Sequence, residues 1–222
     1  MSDSTIIELN NVQIEQQKTV VLKDISIKIE KGEFVYFVGK TGSGKSSLLK
    51  SLYGDVSVNN GSGTVLNCDI IKAKRKKILA LRRKIGIIFQ DFELLTDRSV
   101  ADNLKFIMKA TGWKGKQKIN DSITELLEKV GMSDKANSFP HLMSGGEQQR
   151  IAIARALVND PELILADEPT GNLDPETSIQ IMNLLNKIAS NGKTIVMATH
   201  DYSIIEAFKG RVIKFENQNI SE

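Results

Sequence analysis

A glycine-rich stretch at residues 39–46 has the spacing that binds nucleotide phosphates. Its sequence, GKTGSGKS, fits G-x-x-x-x-G-K-[ST] and lies between an apolar run and a stretch of helical pattern. Glycines let backbone N–H groups curl around phosphate oxygens, and the helix adds the positive end of its dipole. Lys45 can reach the β- and γ-phosphates, and the Ser46 hydroxyl can bind Mg²⁺. A simple glycine-rich turn is the alternative. The predicted phosphate-binding residues are Gly39, Lys40, Thr41, Gly42, Ser43, Gly44, Lys45, Ser46 and Ser47.

Two acidic residues follow the apolar run at 162–166. Asp167 and Glu168 would lie at the carboxyl edge of an open α/β sheet, where such folds bind ligands. Beside a phosphate loop, Asp167 would hold Mg²⁺, often through a water molecule, and Glu168 would orient or deprotonate an attacking water. Alone, the pair fits a solvated strand end equally well, so this prediction depends on the phosphate loop.

A third motif, MSGGEQQR at 143–150, precedes a helical pattern. Ser144, with Glu147 three residues later, forms a capping box, which is an ordinary way to begin a helix. A cap alone does not need two adjacent glycines. Gly145 and Gly146 would let a phosphate approach the bare amides of the helix start closely.

A sheet must bring these motifs together. Residues 5–10 and 20–29 have alternating apolar positions, as strands with one solvated face do. Short apolar runs predict parallel strands at 33–38, 85–89, 162–166 and 194–199. The pattern predicts an α/β fold with a mainly parallel central sheet, an antiparallel β subdomain and an inserted α-helical subdomain.

We interpret the chain as one domain of 222 residues. The nucleotide-binding core and β subdomain would occupy about 1–90 and 160–222, because the predicted strands lie there. The mostly helical segment at about 91–158 would form the inserted subdomain with the third motif.

The composition excludes several classes of protein. The formal net charge is +3, too small by itself to indicate nucleic-acid binding, and Cys68 is the one cysteine. One cysteine and two histidines exclude an internal disulfide framework and a cysteine- or histidine-rich metal centre, and fit a reducing cytosol. No apolar run approaches the roughly 20 residues that span a bilayer, and the N-terminus lacks the pattern of a signal peptide. We therefore expect a cytoplasmic protein that can dock on a membrane.

Further residues complete a series that resembles the ATP-binding-cassette (ABC) ATPase family over about residues 5–215. The sequence MSGGE resembles the family signature, which is more commonly LSGGQ. Gln90 stands at the place of the Q-loop glutamine, Asn172–Asp174 resembles the D-loop, and His200 matches the switch histidine. Each of these residues alone would more often be structural, and Asp174 also fits a helix cap. The order of the six motifs identifies the family.

The resemblance implies a homodimer with ATP and Mg²⁺ in two composite sites. ATP would lie between the phosphate loop of one subunit and the helix start of the other, with these residues: Ser144, Gly145, Gly146, Glu147 and Asp174. Glu168 would position water, His200 would contact the γ-phosphate, and Lys45 would stabilise the charge that develops in transfer. The implied metal-site residues are Ser46, Gln90 and Asp167, with Gln90 sensing the metal or water.

Residues 88–104 and 166–174 resemble the subfamily of lipoprotein-release, macrolide-export and cell-division ATPases. The Asp97–Arg98 pair and MATHD at 197–201 most resemble the cell-division type. That type implies a polytopic integral membrane partner that transmits ATP-driven change to cell-wall hydrolysis, and a peripheral place on the cytoplasmic face of the inner membrane. The alternative is the ATPase subunit of a lipoprotein-release or macrolide exporter. Soluble cassettes that act on nucleic acid usually have two cassettes or long insertions, so no nucleic-acid partner is expected.

The base-binding segment departs from the family. Residues 12–18 contain no aromatic residue where the family usually has a tyrosine that stacks on adenine. We expect the base to rest on aliphatic and amide groups, with these candidates: Val12, Ile14, Gln16 and Val20. Tyr36 or Tyr53, brought in by the fold, is the alternative.

Two surface segments have open interpretations. Residues 72–84 contain eight basic residues and no acid. They fit a solvated helix face or a surface that attracts anionic lipid headgroups. Phe92, Leu94 and Leu95 fit either an exposed patch for the membrane subunit or the core of the helical subdomain.

Overall fold

The computed structural model describes residues 4–222. The strands are β1 (Thr5–Gln16), β2 (Thr19–Glu30), β3 (Phe34–Val38), β4 (Val58–Asn59), β5 (Ser62–Val65), β6 (Cys68–Asp69), β7 (Ile85–Ile88), β8 (Leu163–Asp167), β9 (Thr194–Thr199), β10 (Arg211–Glu216) and β11 (Asn219–Ser221). The α-helices are α1 (Lys45–Leu52), α2 (Arg75–Arg82), α3 (Val100–Ala110), α4 (Lys116–Lys129), α5 (Gly145–Ala156), α6 (Pro175–Ser190) and α7 (Tyr202–Ala207). Single 3₁₀ turns occupy Ser133–Lys135 and Pro140–Leu142.

An antiparallel sheet begins the chain. Strands β1 and β2 form a hairpin whose two-residue turn, Gln17 and Lys18, has positive φ at both positions, which matches the twist of the strands. Strand β5 pairs with the other edge of β1, and β4 and β6 extend the sheet. Both long strands extend beyond the predicted segments. Positive φ at Asn11 interrupts the alternation of β1, and therefore the predicted strand ends at residue 10, whereas β2 differs from its prediction by one residue at each end.

The central sheet has the order β11-β10-β3-β9-β8-β7, and all of its strands are parallel except β11. All residues of β3 and β9 are buried. Such strands are apolar throughout because both faces of the sheet are covered. The predicted parallel strands are confirmed, and the fold is α/β with a mainly parallel central sheet and a separate antiparallel sheet.

Successive residues of β3 point into two different cores. Val35 and Phe37 pack with α1 and the antiparallel sheet. Tyr36 and Val38 pack on the other face with the apolar residues of α3, α4, α5 and α6. The predicted helical segment therefore shares one continuous core with the sheet. Over residues 4–222, no helix is both long and apolar enough to cross a membrane.

Candidate functional site

The turn from β3 to α1 forms the phosphate loop, residues 39–46. Gly42 and Gly44 have φ angles of +82° and +103°, which residues other than glycine rarely adopt. A Cβ on Gly39 would lie 2.6 Å from the carbonyl oxygen of Phe215. The hydroxyl oxygen of Ser43 is buried with no hydrogen-bond partner among residues 4–222. A buried unsatisfied hydroxyl in a glycine-lined turn fits a loop that receives phosphate oxygens.

Lys45 is buried at the first position of α1. Its ammonium group donates to the carbonyl oxygens of Gly39 at 2.7 Å and Lys40 at 3.2 Å. It also lies 3.7 Å from Oε1 of Glu168. The loop carbonyls thus hold the cation inside the curve of the loop, where it can meet a bound phosphate.

Ser46 and Asp167 meet across the site, and the serine hydroxyl donates to Oδ1 of the carboxylate at 2.9 Å. Hydroxyl and carboxylate oxygens are ligands that Mg²⁺ prefers, with phosphate and water completing its shell. Among the described residues no group of three His, Cys, Asp or Glu side chains could hold a metal. The hydroxyl and carboxylate of this pair are oxygen ligands of the kind that fits Mg²⁺.

The Glu168 carboxylate lies close to the side chains of two other predicted site residues. His200 Nδ1 lies 2.5 Å from its Oε2, and Lys45 lies near its other oxygen. The Glu168 backbone has φ 48°, an uncommon value for a residue with a side chain, and its N–H donates to the carbonyl of Ala198 at 3.0 Å. The Gly171 N–H in turn donates to the Glu168 carbonyl at 3.0 Å. Backbone contacts on both sides thus hold this carboxylate at the sheet edge.

Gln90 is exposed and lines a cavity that Asp167 also lines. Asn172 joins the predicted D-loop to this segment, because its side-chain amide donates to the Gln90 carbonyl and to Oδ1 of Asp91, both at 3.2 Å. The structure therefore brings Gln90 beside the predicted metal residue. The Gln90 side chain has no direct bond to Asp167 among the described residues.

Arg155 is a site-supporting residue that the sequence interpretation missed. Its guanidinium donates to the carbonyl oxygens of Phe92, at 2.9 Å, and Glu93. Both of those residues have positive φ. Burial lowers the pKa of Arg155. The one available signal was a lone arginine inside the apolar helix sequence IAIARAL.

The signature segment, residues 143–147, begins α5 with a complete capping box. The Ser144 N–H donates to Glu147 Oε2 at 2.9 Å, and the Glu147 N–H donates to the Ser144 hydroxyl at 3.2 Å. Lys135 adds an ion pair to Glu147 at 2.8 Å. The pKa of Glu147 is lowered, first by the hydrogen bond from Lys135 and then by the Ser144 backbone.

The paired glycines also have a structural role within the chain. A Cβ on Gly146 would lie 2.5 Å from Cγ2 of Thr177, and one on Gly145 would lie 3.2 Å from Leu173. The nearest neighbours of both glycines in the described chain come from the α6 side and Phe92, not from the phosphate loop. Hydrogen bonds and ion pairs join Ser46 to Asp167, and Lys45 and His200 to Glu168, at one sheet edge. Among the described residues, no hydrogen bond or ion pair joins the signature segment to the phosphate loop.

Asp174 caps α6, as its sequence context predicts. Its carboxylate accepts from the Thr177 N–H at 3.0 Å, and Pro175 follows at the first helical position. Hydrogen bonds from the side chain and backbone of Thr177 lower the pKa of Asp174. The cap places the D-loop immediately before α6.

The structure narrows the candidates for the base site. Val12 and Ile14 are wrong, because both side chains are fully buried in the core. Tyr36 and Tyr53 are also buried, and burial raises the pKa of each to about 12. Gln16 lies at the end of β1 and accepts a hydrogen bond from the Ser47 hydroxyl at 3.1 Å. This bond places Gln16 beside the start of α1.

The predicted patch of exposed apolar residues is only partly correct. Phe92, Leu94 and Leu95 are half-buried, and Leu94 packs on the core that contains the helical segment. The large apolar side chains that are exposed nearby in sequence belong to other parts of that segment: Phe106, Phe139 and Leu142. Leu142 is the most exposed of them, at 75%.

A phosphate loop between a buried strand and a helix, with carboxylates at the end of the next strand but one in the same sheet, defines a phosphate-loop nucleotide-binding protein of the α/β class. The chain belongs to the ABC transporter family, which matches residues 22–171.

Similar proteins and structures agree with this assignment. The cell division ATP-binding protein FtsE of Streptococcus pneumoniae serotype 2 (strain D39) is 44% identical over 217 residues, covering 97% of this chain and 94% of that protein. The dimeric post-hydrolysis structure of the ATP-binding cassette MJ0796, bound to ADP and Pi, has a TM-score of 0.86 at 32% identity, covering 98% of this chain and 97% of that one. The structure of cbiO1 from Clostridium perfringens, part of the ABC transporter complex cbiONQ, has a TM-score of 0.90 at 29% identity, covering 99% and 88%.

Proposed function

We propose that this chain is the ATP-binding and ATP-hydrolysing subunit of a membrane-associated ABC complex of the bacterial cell-division type. The observation that carries the enzymatic part is the Glu168 carboxylate, held between Lys45 and His200 beside the phosphate loop. The similarity to FtsE along nearly the whole chain supports the cell-division role. We retain the division into a core, at about 1–90 and 160–222, and a helical part, at about 91–158, as part of this proposal.

The site residues divide the chemistry between them. The loop from Gly39 to Ser47 binds the phosphates, and Lys45 stabilises the negative charge that develops on the transferred group. Glu168 accepts a hydrogen bond from the attacking water and orients it. His200 holds the Glu168 carboxylate and contacts the γ-phosphate. These groups are preorganised because backbone contacts fix Glu168 and Lys45 before nucleotide binds.

Ser46, Asp167 and Gln90 are the residues that would hold or sense Mg²⁺. The ion would neutralise phosphate charge when it is bound. The hydrogen bond between Ser46 and Asp167 keeps their oxygen atoms together on the same side of the loop.

Two copies of the chain complete the sites. Within the described chain the nearest neighbours of Gly145 and Gly146 are the D-loop, Thr177 and Phe92, which supports a role for Ser144, Gly145, Gly146 and Glu147 at the nucleotide of a second copy. Asp174 and the D-loop lie beside this segment. The dimeric state of MJ0796 with ADP and Pi supports this arrangement. The proposed assembly is a head-to-tail homodimer with two sandwiched ATP molecules.

A polytopic integral membrane subunit is the second proposed partner, and its binding would hold the chain at the cytoplasmic face of the inner membrane. The exposed apolar residues of the helical segment, Phe106, Phe139 and Leu142, offer it a contact surface. The alternative function is the ATPase subunit of a lipoprotein-release or macrolide exporter, which would use the same chemistry.

Replacement of the chromosomal gene by a Lys45→Ala version tests the cellular role. The variant should accumulate normally, lose ATP hydrolysis and produce cells that fail to complete division. Normal division, combined with loss of lipoprotein release or macrolide tolerance, would instead establish the exporter function.

A further inference from the structure

A second cavity, of about 510 Å³, lies between the β5–β6 turn and α2. Its apolar floor includes Leu66 and Leu81. Three lysines line it as well: Lys72, Lys77 and Lys84. None of the residues assigned to ATP binding lines this cavity, which we call the α2 cavity.

Helix α2 presents one face to the cavity and another to the core. Lys77 and Ala80 are three residues apart on one face of α2, Lys84 lies in the turn just after the helix, and all three line the cavity. Leu81 is buried and fixes the helix to the protein. Lys77 is therefore held at the cavity by a packed helix. Lys84 is held by the turn that joins this helix to β7, where its N–H donates to the Leu81 carbonyl at 2.8 Å.

The cavity lysines form no close ion pair among the described residues, although Lys72 and Lys77 are near enough to Asp69 to help lower the pKa of its carboxyl group. Within residues 4–222, no carboxylate lies within ion-pair distance of Lys72, Lys77 or Lys84, whereas Arg82 on the same helix lies 3.8 Å from Asp55. Asp69 also lines the cavity, but its Oδ1 already accepts the N–H groups of Ile71 and Lys72. The cavity thus has a surplus of positive charge over an apolar floor.

The charge of the whole chain is concentrated here. Residues 66–84 contain eight basic residues and one acid, although the chain has a net charge of only +3. The rest of the protein is therefore net negative. A surface with this asymmetry attracts polyanionic surfaces by long-range electrostatics.

The exposed side chain of Leu79 favours a lipid phosphate over a soluble phosphate as the bound anion. Leu79 is 47% exposed on the outer face of α2, between Lys76 and Arg83 at three and four residues. A soluble phosphate gives such a side chain nothing to contact. At a bilayer surface, the same side chain could enter the boundary between headgroups and acyl chains while the neighbouring cations contact the headgroups.

We propose that the α2 cavity binds the phosphate headgroup of an acidic phospholipid, with the outer face of α2 lying against the bilayer. Lys72, Lys77 and Lys84 contact the phosphate, the apolar floor contacts the glycerol part of the lipid, and Leu79 enters the headgroup boundary. This contact is independent of the membrane subunit and of nucleotide. It goes beyond the proposed ATPase function, which does not require it.

Vesicle sedimentation with the purified full-length chain tests the proposal. The protein should bind vesicles of phosphatidylcholine with one quarter phosphatidylglycerol, and should not bind phosphatidylcholine alone. Each basic residue near the surface contributes roughly a fivefold factor in partitioning. We therefore expect Lys77→Glu/Lys84→Glu to lower the partition coefficient by at least about tenfold. The matched control is Lys114→Glu/Lys116→Glu, which makes the same charge change on exposed lysines before and in α4 and should leave binding nearly unchanged.

An uncharged variant tests the cavity itself. Ala80→Phe fills the cavity without altering charge, and it should weaken vesicle binding while ATP hydrolysis stays at the wild-type rate. If Ala80→Phe binds vesicles as the wild type does, the cavity is not the binding site. If Lys77→Glu/Lys84→Glu and the control Lys114→Glu/Lys116→Glu lose vesicle binding equally, the assignment to α2 is wrong. Millimolar inorganic phosphate should compete weakly. Full competition, with no preference for phosphatidylglycerol vesicles, would show a free-phosphate site and refute the lipid.

Discussion

His200 Nδ1 and Glu168 Oε2 lie 2.5 Å apart, joining the ends of two neighbouring strands. Strand β9, which leads to His200, pairs with both β8 and β3. Glu168 follows β8, and Lys45 follows the loop after β3. The parallel order therefore brings three residues that are distant in sequence around one carboxylate. The position of each side chain depends on the strand order.

We expect His200→Ala to lower the rate of ATP hydrolysis by about 10²-fold or more, since it removes both a phosphate contact and the group that holds Glu168. Nucleotide affinity should change little, because the phosphate loop is intact. The matched control is His141→Ala, which removes the other histidine, an exposed one whose ring contacts the Thr96 carbonyl. Equal activity of the two variants would refute the role of His200.

The central sheet was predictable because its buried strands are uninterrupted apolar runs bounded by motifs. Strands β4 and β6 have two residues each, which is too short for an alternating apolar and polar pattern to be recognised in the sequence. The first of the two predicted strands of the antiparallel sheet is too short, because Asn11 breaks the alternation of β1. Apolar runs and alternating patterns therefore identify the longer strands, but a residue that interrupts the pattern makes the end of a strand hard to place.

The sequence motifs predict residues of the site, but they do not predict the contacts between those residues. The family motifs identified Lys45, Glu168 and His200, but only the fold shows that they meet. Val12 and Ile14 lie in the segment that is expected to face the base, whereas strand pleating turns their side chains into the core. The sequence does not reveal the role of Arg155, because its guanidinium supports the carbonyl groups of Phe92 and Glu93, which are far from it in sequence.

Gly146→Ala should destabilise the protein by about 1–3 kcal/mol, because the added methyl group would overpack against Thr177. Urea unfolding would measure the change in free energy. Thr177→Ser removes Cγ2, the atom in the way, and should restore most of the loss in the double variant. If Gly146→Ala is as stable as the wild type, close packing of α5 on α6 is not the reason that position 146 requires a glycine.

Glu147→Gln should keep the helix cap and lose the ion pair with Lys135, so it should melt at a lower temperature than the wild type at pH 7. The pKa of Glu147 is lower in the folded state than its ordinary value of 4.5. Its charge therefore stabilises the fold above that ordinary value, and the contribution is lost as the pH falls through the lowered folded-state pKa. Melting curves from pH 7 down to about pH 3 should converge. A difference independent of pH would contradict the ion-pair explanation.

Gln16→Tyr should tighten ATP binding, because aromatic stacking on a base contributes roughly 1–3 kcal/mol where it has been measured. In the wild type, phosphate contacts should dominate, and GTP should bind within about tenfold of ATP. Titration of both nucleotides tests this, with Gln17→Tyr in the hairpin turn as the control. A wild-type preference for ATP above about a hundredfold would reveal a base contact other than Gln16.

The central claim is that Glu168 positions the attacking water in an ATP-sandwiched dimer. The most direct measurement is the mass of Glu168→Gln in solution with and without ATP, together with its hydrolysis rate. Glu162→Gln, an exposed acid just before β8, is the control and should behave as the wild type. Glu168→Gln should bind ATP, lose turnover and run as a stable dimer with ATP. Hydrolysis at the wild-type rate, or a monomer at saturating ATP, would contradict the claim.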